Sequence, residues 1–101
     1  MQSHQISVHE LHSLIESKTP FLLLDVRNLD ERQVFNLGGT FIPLSELPAR
    51  VNEIAHDLPI VVYCHSGYRS AVAVEFLQSH GYDAKNLIGG VVAWQHAGFA
   101  A

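Results

Sequence analysis

The chain has 101 residues, 48% of them hydrophobic and 16% charged, with a formal net charge of −4. This length bounds it to one domain, residues 1–101, with a core of modest size, and the composition excludes a disordered chain. The acidic balance and the lack of any Lys/Arg block exclude a nucleic-acid binder, and no apolar run approaches the length of a membrane span.

In chain order, Ile6 opens a short lead-in, and Ser7 with Glu10 three residues later reads as a capping box. Leu11, Leu14 and Ile15 recur at helical spacing, which predicts a helix over Val8–Ser17. His4, His9 and His12 lie along this stretch, but no acidic or thiol ligand joins them at a recognisable spacing. They are read as surface histidines, and no metal site is expected. Phe21–Val26 is apolar almost throughout, the pattern of a strand covered on both faces in a parallel sheet. Asp25 and Arg27 stand at its end, where open α/β sheets bind ligands. Asn28 and Glu31 repeat the capping pattern, so a short helix is predicted to about Phe35, with an Arg27–Glu31 ion pair bracing the corner.

Gly38-Gly39 stops that helix, and Thr40–Pro43 reads as a short strand. A helix capped by Ser45 is predicted next, with Leu47, Val51, Ile54 and Ala55 on its apolar face and Pro48 tolerated in the first turn. Ile60–Tyr63 is a second apolar strand. After a polar loop, Ser70–Leu77 has the look of a buried helix that stops at His80-Gly81-Tyr82. Asp83–Ile88 is the last strand, Gly89-Gly90 a tight turn, and Val91–His96 a final helix ended by Gly98, with Trp94 packed on the core. Helices and strands alternate through short loops, the pattern of an α/β domain whose mainly parallel sheet is flanked by helices.

The lone cysteine, Cys64, sits where the Ile60–Tyr63 strand meets the loop His65-Ser66-Gly67-Tyr68-Arg69-Ser70. A strand feeding a tight loop that opens a helix gathers backbone N–H groups into an anion cradle. Such a cradle favours the thiolate and depresses the cysteine pKa, Arg69 adds a permanent positive charge, and Gly67 allows a positive φ. The bland alternative is a small buried hydrophobe; the coincidence of cysteine, glycine, arginine and helix start within a few residues argues against it. One cysteine cannot form an internal disulfide, and residues 1–5 lack the basic and apolar regions of a leader peptide. Both point to the cytoplasm.

The run Cys64-His65-Ser66-Gly67-Tyr68-Arg69-Ser70 resembles the active-site loop of single-domain rhodaneses, Cys-x-x-Gly-x-Arg-Ser/Thr. Asp25-Val26-Arg27 with Glu31, Ile42-Pro43-Leu44, and Leu87-Ile88-Gly89-Gly90 followed by Trp94 resemble further family segments, in the same order. The match runs from about Ile6 to Gly98. Asn36–Arg50 is similar to the rhodanese domains attached to activating proteins of molybdopterin and thiamine sulfur carriers. Two departures are Arg32, where an aromatic residue is usual, with Phe35 able to fill its place, and the absence of a Gly-His-Ile before the central strand.

The resemblance implies a rhodanese-like three-layer α/β fold and sulfurtransferase chemistry. Cys64 would form a persulfide from thiosulfate or a protein persulfide and pass the sulfur to a thiol, cyanide or a sulfur-carrier protein. No cofactor is implied beyond the covalent persulfide. Arg69 would orient an anionic donor or brace the loop, and the amides from His65 to Ser70 would hold the terminal sulfur. His65 reads as a spectator or proton shuttle, Ser66 and Ser70 as hydroxyl donors or, for Ser70, a helix cap, and Tyr68 as the rim. Asp25, Arg27 and Glu31 would support the site, and a monomer is expected. Three other readings are a docking module, a thiol redox sensor and a cysteine phosphatase or arsenate reductase. The last needs a loop one residue longer than the four, His65 to Tyr68, that separate Cys64 from Arg69.

Overall fold

The computed structural model describes residues 4–100. The first three residues of the stretch read for a leader peptide lie outside that range. The elements are β1 (Gln5–Ile6), α1 (Val8–Glu16), β2 (Leu22–Asp25), α2 (Leu29–Val34), β3 (Thr40–Phe41), α3 (Leu47–Arg50), β4 (Ile60–Tyr63), α4 (Tyr68–Ser79), β5 (Ala84–Leu87) and α5 (Gly90–Ala97). The five strands form one parallel sheet in the order β1-β5-β4-β2-β3. β4, the strand that leads to Cys64, is the middle one, with β2 and β5 beside it.

Along β4 the side chains alternate between two cores. Ile60, Val62 and Cys64 enter one with Leu24, Leu47, Ala73 and Leu77, beneath α3 and α4. Val61 and Tyr63 enter the other with Leu11, Leu87, Val91 and Trp94, beneath α1 and α5. Helices therefore cover both faces, which is why β4 is buried at every position and shows no polar alternation. Among the described residues no helix is long and apolar enough to cross a membrane.

Most predicted elements form within a residue or two of their expected limits. The Ser7–Glu10 capping box is present, with Glu10 N–H on Ser7 Oγ at 3.1 Å and Ser7 N–H on Glu10 Oε1 at 2.8 Å. Three differences have physical causes. The lead-in at Ile6 is a strand, recruited by β5 through Asn86 N–H to His4 O at 2.8 Å and Ile88 N–H to Ile6 O at 2.9 Å. Two residues are too short to read as a strand without the partner.

The helix expected from Ser45 is broken. It runs as a 3-10 turn over Leu44–Glu46, one α-helical turn, and a second 3-10 turn over Val51–Glu53, so Ser45 lies inside a turn and caps nothing. Pro48 has no N–H to bond back to Leu44. The Tyr82 hydroxyl lies against the carbonyls of Val51, at 3.0 Å, and Ile54, which a continued helix would have used. α4 begins at Tyr68 rather than Ser70, with Gly67 at its N-cap.

Candidate active site

The loop 64–70 leaves the C-terminal end of β4 and turns into α4 at Gly67, whose φ is +106°. That conformation disfavours every residue with a Cβ. Cys64 is 1% exposed, so its sulfur lies at the base of the loop. Three donors face it: Gly67 N–H at 3.1 Å, Ser70 N–H at 3.4 Å and the Ser70 hydroxyl at 3.3 Å. Burial pushes the Cys64 thiol pKa up, but the Ser70 hydroxyl and the amides of Ser70, Gly67 and Ser66 outweigh it, and the net direction is down from the ordinary value. The depressed pKa expected from the sequence is present, and hydrogen bonds to sulfur carry it.

A second backbone segment supports the loop from behind. At the start of α5, Val91 N–H donates to Cys64 O and Val92 N–H to His65 O, each at 3.0 Å. Gly90 lies between them with φ +55°, and a Cβ there would strike both carbonyl oxygens, 2.6 Å from that of His65. Glycine at 90, the first residue of α5, is thus a steric requirement of the cysteine loop. On the β5 side, Asn86 Nδ2 donates to Gly67 O at 3.1 Å, and the Ser70 hydroxyl lies 2.5 Å from Asn86 Oδ1.

The charged residues are arranged differently from expectation. The predicted Arg27–Glu31 side-chain pair does not form. Arg27 binds Asp25 through Nε and Nη2, each at 2.9 Å, and reaches Glu31 only at its backbone carbonyl, 3.5 Å away. Asp25 is wholly buried and also takes Arg32 at 3.2 Å and the Tyr63 hydroxyl at 3.2 Å. A buried carboxylate without such partners would be costly, so it captures the arginine two residues away. This network lies beneath the loop's neighbours and does not touch Cys64 among the described hydrogen bonds.

Glu31 is then free for Arg69. The pair is bidentate, with both contacts at 2.7 Å, while Asn28 N–H holds the same carboxylate at 3.0 Å. Arg69 therefore braces the loop against α2, the second of the two roles expected for it. Its hydrogen bonds hold the Glu31 carboxyl down at about 2. Because the folded pKa is the lower one, the pair's stability is present above the ordinary carboxylate value of about 4.3. It fades as pH falls toward about 2. Both side chains keep some solvent contact, so the expected cost of Glu31→Gln at neutral pH is about 1–2 kcal/mol. Urea unfolding of both proteins at neutral pH and near pH 2 checks this: the difference should vanish in acid.

The remaining loop residues sit as follows. Tyr68 is 80% exposed and forms part of the rim. His65 is exposed and lines a cleft of about 430 Å³ with Arg27, Asp30, Glu31, Val34 and Phe35. Ser66 is exposed, and Ser70 is buried on the sulfur rather than capping the helix. Phe35 packs on the second core, while the Arg32 guanidinium lies over the Phe41 ring.

Asn86 and Tyr63 belong to the site's framework without being expected there, and Arg32, expected only as a departure in local packing, joins Tyr63 on Asp25. Asn86 follows Lys85 in a strand that is not apolar throughout, so its only local mark is that asparagine is disfavoured in strands.

Comparison with known proteins agrees with this geometry. The sequence profile of the family described as "Rhodanese-like domain" matches residues 7–97. A sulfurtransferase from Allochromatium vinosum is 33% identical over 97 residues, 94% of this chain and 91% of that protein. An adenylyltransferase and sulfurtransferase, MOCS3, from Arabidopsis thaliana is 32% identical over 89% of this chain, which spans only 23% of that longer protein. The crystal structure of a rhodanese-related protein from Thermoplasma volcanium superposes with a TM-score of 0.87 at 31% identity, covering 96% of this chain and 95% of that one. The chain belongs to the rhodanese-like domain family, whose named members include sulfurtransferases.

Proposed function

We propose that the chain is a sulfurtransferase that carries sulfane sulfur as a persulfide on Cys64. The observation that carries this reading is the ring of three donors, two amides and a hydroxyl, around one buried sulfur. The Cys64 thiolate attacks the outer sulfur of the donor, a new S–S bond forms, and sulfite or a thiolate leaves with the electron pair. An acceptor thiolate then attacks the outer sulfur of the persulfide, and the pair returns to Cys64. Electrons balance over the cycle, and no metal or organic cofactor takes part.

Charge favours persulfides over thiosulfate as donors. Around the cleft the guanidinium groups of Arg27, Arg32 and Arg69 stand against the carboxylates of Asp25, Asp30 and Glu31. Among the described residues around the cleft, no guanidinium is left in surplus for a dianion. Both terminal nitrogens of Arg69 are taken by Glu31, which also leaves the loop without an arginine to clamp a tetrahedral phosphate. Relatives named a putative sulfur carrier protein, YrkF of Bacillus subtilis, and MOCS3 support a protein acceptor.

The test is intact-mass analysis of purified protein after thiosulfate, after a persulfidated protein, and after cyanide. Gain of one sulfur atom, released by cyanide as thiocyanate, is the expected result. Uptake from the protein persulfide should be efficient, and thiosulfate should saturate only on the order of 1 mM or above. A micromolar thiosulfate KM would refute the donor preference. No uptake from any donor would refute the sulfurtransferase reading and leave a docking or sensor module.

A further inference from the structure

Cys64 Sγ, Ser70 Oγ and Asn86 Oδ1 form a row. The Ser70 oxygen is 3.3 Å from the sulfur and 2.5 Å from the Asn86 oxygen. A hydroxyl has one hydrogen to donate, and both neighbours accept. The Asn86 amide cannot turn over to relieve the competition. Its Nδ2 donates to the Gly67 carbonyl, 3.1 Å away, which only accepts, so Oδ1 must face Ser70. Cys64, Ser70 and Asn86 are 1%, 0% and 7% exposed, so bulk water does not supply a substitute donor.

We propose that Asn86 is a positioning residue for the reacting thiol: it holds the Ser70 hydroxyl hydrogen off the sulfur while Cys64 is neutral and yields it when the sulfur becomes anionic. In the neutral state the Cys64 S–H donates to Ser70 Oγ, and Ser70 O–H donates to Asn86 Oδ1. On ionisation the thiol proton leaves to solvent, Ser70 O–H turns onto the thiolate, and Asn86 Oδ1 loses its donor. Once sulfur is taken up, the negative charge lies on the outer sulfur, Sγ becomes a neutral bridge, and the hydroxyl returns to Asn86. Asn86 thus opposes ionisation and yields the hydroxyl only when the sulfur itself carries the charge. The inference rests on the reading of Cys64 as the reacting nucleophile.

The charged and titratable groups around Cys64 are Arg69 with its partner Glu31 from α2, His65 and Tyr68 in the loop, and Asp25 with Arg27 and Arg32 on the β2 side. The test alters none of them. It measures the pH midpoint of Cys64 alkylation by iodoacetamide. Asn86→Leu removes the competing acceptor and leaves little room for water. The midpoint should fall by about one pH unit, so alkylation below it should speed up about tenfold. In a Ser70→Ala background the same substitution should leave the midpoint where it was. Asn86→Asp, a stronger acceptor, should raise it.

If Asn86→Leu does not fold, Asn86→Met, which also lacks an oxygen acceptor and fills the space, carries the same expectation. A residue that merely tethers Gly67 would loosen the loop in every variant and raise the midpoint in all of them. A rise or no change with Asn86→Leu or Asn86→Met, or equal shifts with and without the Ser70 hydroxyl, would overturn the proposal. Alkylation needs only the thiol. A protein that takes up no sulfur still gives the readout, and the two readings can fail separately.

Discussion

Replacing Cys64 with serine is expected to abolish sulfur uptake from every donor while the fold survives. Serine is close in size, and the donors that face the sulfur can hydrogen-bond its oxygen, so the buried position does not acquire an orphaned polar group. The cost in stability should stay within about 2 kcal/mol. The chemistry has no such tolerance. A serine hydroxyl is not ionised at neutral pH and forms no persulfide, so the rate should fall at least about a thousandfold, to background. Thiocyanate release and intact mass measure the loss, and a urea titration measures the fold. Sulfur uptake that persists in Cys64→Ser would show that Cys64 is a packing residue.

Gly90→Ala should be among the most damaging single methyls that can be added to the molecule. The new Cβ would land on the carbonyl oxygens of Cys64 and His65, backbone atoms that cannot swing aside, at a φ of +55°. Gly98→Ala is the control, because its φ is +81° and nothing lies within 4 Å of the added methyl. The left-handed backbone alone costs about 1–2 kcal/mol in both variants. Overlap adds about 1–3 kcal/mol at residue 90 only. For a chain of this size the difference corresponds to a drop in Tm of roughly 5–20 °C. The clash displaces the first residues of the loop, so surviving Gly90→Ala protein should also transfer sulfur slowly, whereas Gly98→Ala should match the parent. Equal melting of the two variants would count against backbone contact between loop and turn.

The features readable in the sequence are those whose cause is local. Capping at Ser7 and the Cys64–Ser70 loop depend on neighbours a few residues away, and the unbroken apolar run of β4 carries its mark within four residues; each is where the pattern puts it. The misreadings involve partners distant in the chain. Glu31 and Arg69 are separated by 38 residues, and no spacing rule says that Glu31 prefers Arg69 to the nearer Arg27. The choice follows from Asp25, whose burial claims Arg27 first. Ser70 had two readings, sulfur donor and helix cap; its hydroxyl faces the Cys64 sulfur, in line with the first, and also meets an amide sixteen residues further on, which no local pattern announces. The broken helix around Pro48 depended on Tyr82, a residue from the far side of α4.

The pairing of β1 with β5 has a consequence for biosynthesis. Gln5 lies opposite Asn86 and Ile6 opposite Leu87, so the first of the five strands to be synthesised finds its partner only when the last of the five has emerged. Such non-local parallel pairing folds slowly. A nascent chain that ends before residue 84 has Cys64 and Ser70 but neither Asn86 nor the turn at Gly90, and β4 is left as an open edge. The thiol should therefore be less selective until β5 and the turn at Gly90 have been made, a window in which chaperones or reductants have most to protect.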